Sequence, residues 1–406
     1  MLRHCAERLA MSTQLTIVGG TYREFCREPQ WNELYGSGLR AAAALSGHIS
    51  TIQFVTCIGD DVAADLAIVC DTYGVQCSTT RIPETVSFYY HHPLSKPVIY
   101  PNVFNQPKAE MPVVEAPNIL LFGILEADVK VHGQKVVYDP QSGTPIPFRQ
   151  NGSTADRLAL VLNHQEAIRM SALPNDSSLE VLGNFLLEKE QAEVVIIKNG
   201  AHGASVIESS GITSVPAFKT DSVWSIGSGD IFSAAFAWQW IVLGQPAAIA
   251  ALEASRYTAH FCQNKYLPLP SQTQSFEELI PSSEVRNLYL AGPFFTIAER
   301  WLIQECREKL TEFGNQVFSP YHDIGIGDPH QVVPKDLAAI ERADVLFAIL
   351  SGLDPGTLFE IGYAKALGKK VVVLAENIGH HDLTMLIGTD CEITADFATA
   401  IYKASW

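Results

Sequence analysis

The sequence predicts an α/β protein made of two domains, and three observations lead to that prediction. Short apolar runs rich in β-branched residues alternate with helical patterns along almost the whole chain. The chain has 406 residues, enough for two or three domains with cores of their own. A stretch rich in Pro, Ser, Gln and Thr interrupts this alternation before a fresh strand begins. We therefore predict a first domain at 12–268, a linker at 269–284 and a second domain at 285–406.

The strand and helix predictions follow from local patterns. Continuous apolar runs suit strands that are covered on both faces, and the predicted strands begin at Leu15, Ile119, Lys135, Val194, Asn287, Asp344 and Lys370. Helical periodicity is clearest in three segments of the second domain: ERWLIQECREKLTEFG, DLAAIERA, which Asp336 is expected to open, and TLFEIGYAKALG. The segment DRLALVL fits either a helix or a strand.

Composition and charge argue against several classes of protein. The formal net charge is −16, and neither predicted domain is basic, so we expect no nucleic-acid polymer as a partner. The N-terminal residues lack the pattern of a signal peptide, and the most apolar stretch, 231–252, is interrupted by Gln239 and Gly244, so we expect no membrane span. Eight cysteines without a C-x-x-C pair suggest reduced thiols. We expect a soluble cytoplasmic protein.

Three motifs of the first domain point to phosphate chemistry. They are Asn163 with Glu166, then Lys198 with Gly200 and Gly203 directly after a predicted strand, then Gly227-Ser228-Gly229-Asp230 at the start of a predicted helix. A glycine-rich turn at a helix N-terminus directs free N–H groups at an anion, and an aspartate there can accept the proton of an attacking hydroxyl. Each motif alone is also explained by an ordinary helix cap or turn.

Together these motifs resemble the PfkB (ribokinase-like) family of sugar and nucleoside kinases over roughly residues 12–270. The segments GSGLRAAAAL and VTCIGDDVAADLAIVCDTYGV add to the resemblance. It implies that Asp230 is a catalytic base and that Gly227 to Gly229 form an anion hole. It also implies Mg²⁺ near Asn163 and Glu166 with no direct protein metal site, and ATP beside Lys198, Gly200 and Gly203.

The first domain departs from that family at its sugar-binding end. Trp224 stands where the family usually has an aspartate, and its usual asparagine is replaced within Leu39–Ala42. No early sugar-binding aspartate is found in Thr21–Glu24. The acceptor is therefore not expected to be simple free ribose or fructose, and a kinase-derived binding module is an open alternative.

The second domain brings several acidic residues to a predicted crevice. Tyr289 and Asp354 fall near the carboxyl ends of predicted strands, where α/β sheets bind ligands, and Glu360 follows on the next helix. Asp336 could lean over the same crevice. Glycosyl transfer needs one ionised carboxylate as nucleophile and a second acid for the leaving group, and a place near a helix N-terminus would keep Glu360 ionised. Alternatively, Asp354 and Asp336 are helix caps and Tyr289 is a core residue.

The segments YLAGPFF, KDLAAIERADVLFAIL and LDPGTLFEIGYAKALGKKVVVL resemble the nucleoside 2-deoxyribosyltransferase family across residues 286–400. That family has a flavodoxin-like, Rossmann-type parallel sheet and usually builds its sites between subunits, so we expect a homo-oligomer. The resemblance implies Glu360 as nucleophile, with Asp354 six residues before it, Asp336 at the leaving base and Tyr289 beside the nucleophile. The implied substrate-binding residues are Gly292, Pro293, Phe294, Gly356, Thr357 and Met385.

This domain also departs from its family. Leu383 stands where an asparagine usually meets the sugar 5′-hydroxyl, which leaves a nucleotide open as substrate instead of a nucleoside. The adjacent His380 and His381 fit a solvated loop better than a metal site.

We therefore predict a fusion enzyme that cleaves or transfers an N-glycosidic bond of a small-molecule nucleoside or nucleotide. The second domain needs no cofactor, and an ATP- and Mg²⁺-dependent kinase-like domain precedes it. The alternative is a regulatory or defence effector in which a degenerate kinase fold senses a nucleotide and the second domain depletes nucleotides or NAD.

Overall fold

A computed structural model describes residues 14–280 and 285–406, and the chain divides into two compact units. The first unit ends at Ile280, and the second contains the chain from there to Trp406 together with Asp221–Val223. Residues 12 and 13 of the predicted first domain, 281–284 of the predicted linker, and Cys5 lie outside the described residues.

The first unit is built on a nine-stranded mixed sheet with the order β15-β14-β13-β12-β11-β9-β1-β4-β5. Neighbours are parallel except in the two antiparallel pairs β13–β14 and β14–β15. The strands of the unit are β1 Gln14–Val18, β2 Tyr22–Cys26, β3 Trp31–Tyr35, β4 Thr51–Ile58, β5 Gln76–Arg81, β6 Ser87–Tyr90, β7 Val98–Tyr100, β8 Ala109–Glu110, β9 Val114–Phe122, β10 Ala127–Asp128, β11 Val131–Asp139, β12 Thr154–Asn163, β13 Val194–Lys198, β14 Ala204–Glu208 and β15 Gly211–Val215.

Helices cover both faces of this sheet, which explains the continuous apolar runs of its strands. In β9, Leu120 and Phe122 belong to one core, whereas Ile119 and Leu121 belong to the other. The helices are α1 Gly36–Leu45, α2 Ala63–Tyr73, α3 His164–Ser171, α4 Leu179–Glu190, α5 Ser228–Ala237 and α6 Ala247–Asn264, with a π-helical turn at Trp238–Val242. DRLALVL lies in strand β12.

A second, four-stranded sheet of the first unit has the order β3-β2-β6-β7. Its strand β2 carries Tyr22 and Glu24, and α1 follows directly after β3. The chain from 269 to 280 packs on the same unit, because Leu269 N donates to Ala44 O and Leu279 N donates to Ala217 O. The exact linker boundaries stay a prediction.

The second unit contains a fully parallel five-stranded sheet with the order β17-β16-β18-β19-β20. In chain order this is 2-1-3-4-5, the flavodoxin-like arrangement. Its strands are β16 Asn287–Ala291, β17 Gln316–Phe318, β18 Val345–Ile349, β19 Lys370–Leu374 and β20 Glu392–Thr394; its helices are α7 Ile297–Glu312, α8 Pro320–Asp323, α9 Pro329–Arg342, α10 Pro355–Ala366, α11 Thr384–Gly388 and α12 Phe397–Ser405. The predicted α/β fold class is confirmed for both parts.

One helix start differs from the prediction. Helix α9 begins at Pro329, where Asp328 caps it by accepting from His330 N, so Asp336 lies within the helix and does not open it. The helix therefore starts earlier than predicted and contains Pro334 in its interior. Among the described residues, the helices are all too short or too polar to cross a bilayer.

Candidate functional site

The second unit brings Tyr289 and Glu360 into direct contact. Tyr289 is fully buried in strand β16, and its Oη donates to Glu360 Oε1 over 2.6 Å. Glu360 is half-buried in the second turn of α10, which follows the carboxyl end of β18. The hydrogen bond uses one carboxylate oxygen and leaves Oε2 available for a reaction.

Burial raises the pKa of Glu360 to about 7. Desolvation is the largest cause, the charges of Asp336 and Asp354 add to it, and the Tyr289 hydrogen bond acts in the opposite direction. We expected the helix N-terminus to keep this carboxylate ionised, and that expectation is wrong in direction. Glu360 lies too far into α10 for the free N–H groups of the first turn to compensate for its burial.

Asp336 and Asp354 both lie close enough to Glu360 to act on it electrostatically. Asp336 is half-buried on α9, burial raises its pKa, and its Oδ1 atom has no hydrogen-bond partner among the described residues. Asp354 caps α10, since its Oδ2 accepts from Thr357 N at 2.7 Å and from Thr357 Oγ1 at 2.8 Å. Asp354 therefore is a helix cap and a neighbour of Glu360 at once.

The remaining predicted substrate-binding residues lie in the loops around this group. Gly292, Pro293 and Phe294 follow β16, and a Cβ atom at Gly292 would press on Ile303 and Ile349. Gly356 and the buried Thr357 form the first turn of α10, whereas Met385 is 74% exposed on α11. No described contact brings Met385 to Glu360.

The sequence analysis missed an aromatic neighbour of the predicted binding loop. Tyr321 on α8 approaches Phe294 with ring centroids 5.4 Å apart. Its only sequence signal is its place shortly after β17, which is a neighbour of β16 in the sheet.

In the first unit, the predicted anion hole has the expected backbone form. Gly227 has a φ of +79° and precedes α5, whose first residues are Ser228, Gly229 and Asp230. Ser228 Oγ donates to Ser225 O, so its hydroxyl is used within the turn.

Asp230 is held by two residues that the sequence analysis did not assign to the site. Arg40 NH1 donates to Asp230 Oδ2 over 2.6 Å, and Gln141 Nε2 donates to Asp230 Oδ1. Arg40 also pairs with the buried Glu24. The only signal for Arg40 was one charged residue within the apolar run of α1.

Lys198 lies at the end of β13 and pairs with Asp139, a fully buried residue at the end of β11. The distance between Lys198 Nζ and Asp139 Oδ2 is 2.9 Å, and Ser233 Oγ donates to the same oxygen. Asp139 was also missed as a site residue, although it is the last residue of the predicted strand KVVYD. Gly200 and Gly203 both have positive φ in the turn after β13, and a side chain at Gly203 would overlap Val215 O.

Asn163 and Glu166 form a capping box at the start of α3. Asn163 Oδ1 accepts from Glu166 N, and Glu166 Oε2 accepts from Asn163 N. Burial and the charge of Asp139 raise the pKa of Glu166 to about 7. Among the described residues, no group of three or more His, Cys, Asp or Glu side chains could hold a metal ion.

Comparisons with known proteins give matches to both parts of the chain. Among solved structures, a ribokinase from Thermotoga maritima is 18% identical, covers 63% of this chain and 96% of its own, and has a TM-score of 0.44. A fructokinase from Vibrio cholerae O395 in its fructose-, ADP- and calcium-bound form is 15% identical. The match covers 63% of this chain and 94% of the fructokinase, with a TM-score of 0.47. A nucleoside kinase from Methanocaldococcus jannaschii is 15% identical, and the match covers 63% of this chain and 95% of the nucleoside kinase, with a TM-score of 0.45. Comparison with curated protein sequences gives no match.

Family models identify each part by sequence. Residues 130–273 match the model of the pfkB family carbohydrate kinases. Residues 288–395 match the model of the nucleoside 2-deoxyribosyltransferases. Both resemblances that the motifs indicated are thus confirmed: one segment of the chain matches the pfkB carbohydrate kinase model, and a later segment matches the nucleoside 2-deoxyribosyltransferase model.

Proposed function

We propose that the second unit cleaves the N-glycosidic bond of a nucleoside or nucleotide through a glycosyl-enzyme intermediate on Glu360. The observation that carries this proposal is the 2.6 Å hydrogen bond from buried Tyr289 to one oxygen of Glu360. It orients the carboxylate and leaves the second oxygen free. Asp336 and Asp354 are close by, so that one site holds a nucleophile and separate acids.

The reaction then has two steps. In the first, Glu360 Oε2 forms a bond to the anomeric carbon while the bond from that carbon to the base nitrogen breaks. The electron pair stays on the base, which takes a proton from Asp336. In the second, a base nitrogen or a water oxygen attacks the same carbon, its proton returns to Asp336, and the Glu360 carboxylate is released.

The raised pKas of Glu360 and Asp336 suit these two roles. A carboxyl group with a pKa of about 7 can be ionised in a good fraction of molecules at neutral pH and still be a strong nucleophile. Burial of Asp336 favours the protonated form that a leaving base requires.

The first unit has two candidate functions, phosphoryl transfer and ligand binding without transfer. In the first, Asp230 acts as base for an ATP-dependent nucleoside or sugar kinase, with phosphates at Gly227–Gly229 and Lys198. In the second, the unit binds a small molecule that regulates nucleotide or NAD depletion by the second unit. The buried partners of Asp230 favour binding without transfer.

We also propose a homo-oligomer in the cytoplasm. Several large apolar side chains of the second unit are exposed, among them Phe295 at 70%, Phe359 at 61% and Met385 at 74%. A second copy could cover them and complete the site. If so, Phe359→Glu should lower both the particle mass measured by light scattering and the rate of base release. A wild-type protein that has the mass of a monomer would contradict the proposed oligomer. No disulfide joins the described cysteines, which is compatible with a reducing compartment.

The test of the glycosyl chemistry uses the full chain with a panel of nucleosides, nucleoside monophosphates and NAD. Free base is followed by chromatography, with and without a second base, which separates transfer from hydrolysis. We expect Glu360→Ala to abolish base release while circular dichroism stays unchanged, and Glu341→Gln, an exposed control on α9, to retain activity. Acid-quenched wild-type enzyme should gain the mass of one glycosyl group on the peptide that contains Glu360. Full turnover by Glu360→Ala would exclude the mechanism.

A further inference from the structure

The first unit contains a cavity of about 600 Å³ that is lined in part by strands β2 and β6 of its four-stranded sheet. Aromatic rings form one wall: Phe88 lies 5.1 Å from Tyr22 and 6.3 Å from Tyr90 between ring centroids. The charged part of the lining comprises Glu24, Arg40 and Asp230, with the exposed Lys96 also lining the cavity. The aromatic and the charged side chains together determine which class of ligand the cavity binds and whether that ligand can be phosphorylated.

The charged wall is an ion-pair cluster whose members satisfy one another. Arg40 is 1% exposed, and its guanidinium bridges the carboxylates of Glu24 and Asp230. Gly36 N donates to the other Glu24 oxygen, and Gln141 Nε2 donates to the other Asp230 oxygen. Every carboxylate oxygen of the cluster therefore has a donor from the protein itself.

This arrangement is unfavourable for phosphoryl transfer in two ways. A base must accept the proton of the attacking hydroxyl, yet both carboxylate oxygens of Asp230 already accept hydrogen bonds, from Arg40 and from Gln141. The guanidinium also packs directly on the glycine turn, because a Cβ atom at Gly227 would overlap it. Arg40 therefore takes up space in front of the N–H groups that would hold a transferred phosphoryl group.

The same wall favours an uncharged ligand with hydroxyl groups. The carboxylates of Glu24 and Asp230 are matched by two cations of the cavity lining, Arg40 and Lys96. A phosphate or carboxylate that entered would therefore meet no excess of positive charge. Ser37, 4% exposed, lines the cavity, and its Oγ has no hydrogen-bond partner among the described residues. Asn102 adds an amide at the wall. A flat ring could stack on the aromatic wall.

We propose that the first unit is a receptor that binds an uncharged, ring-bearing polyhydroxy ligand with the chemistry of a nucleoside and does not phosphorylate it. In this unit Asp230 is a structural partner of Arg40, and the glycine turn closes one end of the ligand cavity. This inference goes beyond the glycosyl chemistry of the second unit and is tested by separate measurements.

Binding is tested by calorimetry with adenosine, thymidine and thymidine monophosphate as probes. The full chain carries Glu360→Gln so that the second unit does not consume the probe. We expect one of the two nucleosides to bind at a site that weakens at least about tenfold in the additional variant Phe88→Ala, and the monophosphate to bind this site at least about tenfold more weakly. If neither nucleoside binds, or if Phe88→Ala changes no binding event, the receptor proposal is wrong.

The role of Asp230 is tested with wild type and Asp230→Asn. Transfer from γ-labelled ATP with Mg²⁺ to the same nucleosides, to sugars and to water should be at background in both proteins. Asp230→Asn should lower a thermal transition by about 5–10 °C, because it breaks a buried ion pair. Arg40→Met should lower the transition by at least as much, because it leaves the buried carboxylates of both Glu24 and Asp230 without their cation. Wild-type phosphorylation that Asp230→Asn abolishes, or an unchanged transition in Asp230→Asn, would overturn the proposal.

Discussion

Replacing Glu360 with glutamine should stabilise the second unit at alkaline pH. The glutamine resembles the protonated acid, and its carbonyl oxygen can still accept the hydrogen bond from Tyr289. Burial raises the pKa of Glu360 from 4.5 to about 7, so ionising it in the folded state opposes folding. At 1.36 kcal/mol per pKa unit, the gain of Glu360→Gln is about 3 kcal/mol once both states of the wild type are ionised.

The pH dependence of the stability difference between Glu360→Gln and the wild type shows whether ionisation of Glu360 is its cause. Below about pH 4.5 the wild-type group is neutral in both states, and the two proteins should be about equally stable. Between pH 4.5 and 7 the folded wild type binds the proton that the unfolded chain has released, so its relative stability falls as pH rises. Above pH 7 the difference should be constant.

Scanning calorimetry of the full chain from pH 5 to 9 provides the measurement. At alkaline pH, Glu360→Gln should raise the unfolding temperature of the second unit, while the transition of the first unit serves as an internal reference. Glu308→Gln, at an exposed position on α7, is the matched control and should show no growing difference. If Glu360→Gln stabilises the second unit equally at pH 5 and pH 8, or destabilises it at pH 8, the reasoning is refuted.

Three further substitutions separate the contributions to the two sites. Tyr289→Phe removes the hydrogen bond that lowers the pKa of Glu360, so the acidic limb of kcat/KM should move to higher pH and base release at pH 7 should fall about 10- to 100-fold. Asp336→Asn removes a charge that raises the same pKa, so its limb should move to lower pH while the pH-independent rate falls about 100-fold or more. A pH–rate profile in which both variants shift the same way would contradict these assignments. Gly227→Ala should destabilise the first unit by about 2 kcal/mol or more in denaturant titration, because it strains a positive φ and displaces Arg40.

The fold was largely readable from sequence because its strands are short, apolar and buried on both faces. Their boundaries coincide with strong local signals such as Gly292 after β16 and Asp139 at the end of β11. The start of α9 was misplaced because the prediction rested on the pattern DLAAIERA and on Asp336 as its cap, whereas the cap is Asp328, eight residues earlier. A local pattern is a weaker guide where a helix continues through a proline, as this one does at Pro334.

The candidate sites were readable only where a motif supplies all the partners. Glu360 and Tyr289 are 71 residues apart and meet because β16 and β18 are neighbours in the sheet. The position of Arg40 is different, since its charge sits in an alanine-rich helix and its partner Asp230 lies 190 residues away. Sequence spacing contains no information on such a pairing, and only the packing of α1 against α5 creates it.

The two sites differ in how their buried charges are compensated, and this difference bears on function. Glu360 has a neutral phenol, from Tyr289, as its hydrogen-bond donor and other carboxylates nearby, so its ionised form is costly in the folded state. A cost of that kind is typical of groups whose reactivity is used. Asp230 instead shares a guanidinium with Glu24, and Arg40 supplies the opposite charge at 2.6 Å. A carboxylate compensated in this way gains little by reacting, since a change in its charge disrupts the cluster that holds it. The glycosyl site is therefore the place to expect chemistry in this chain, and the kinase-like cavity is the place to expect recognition.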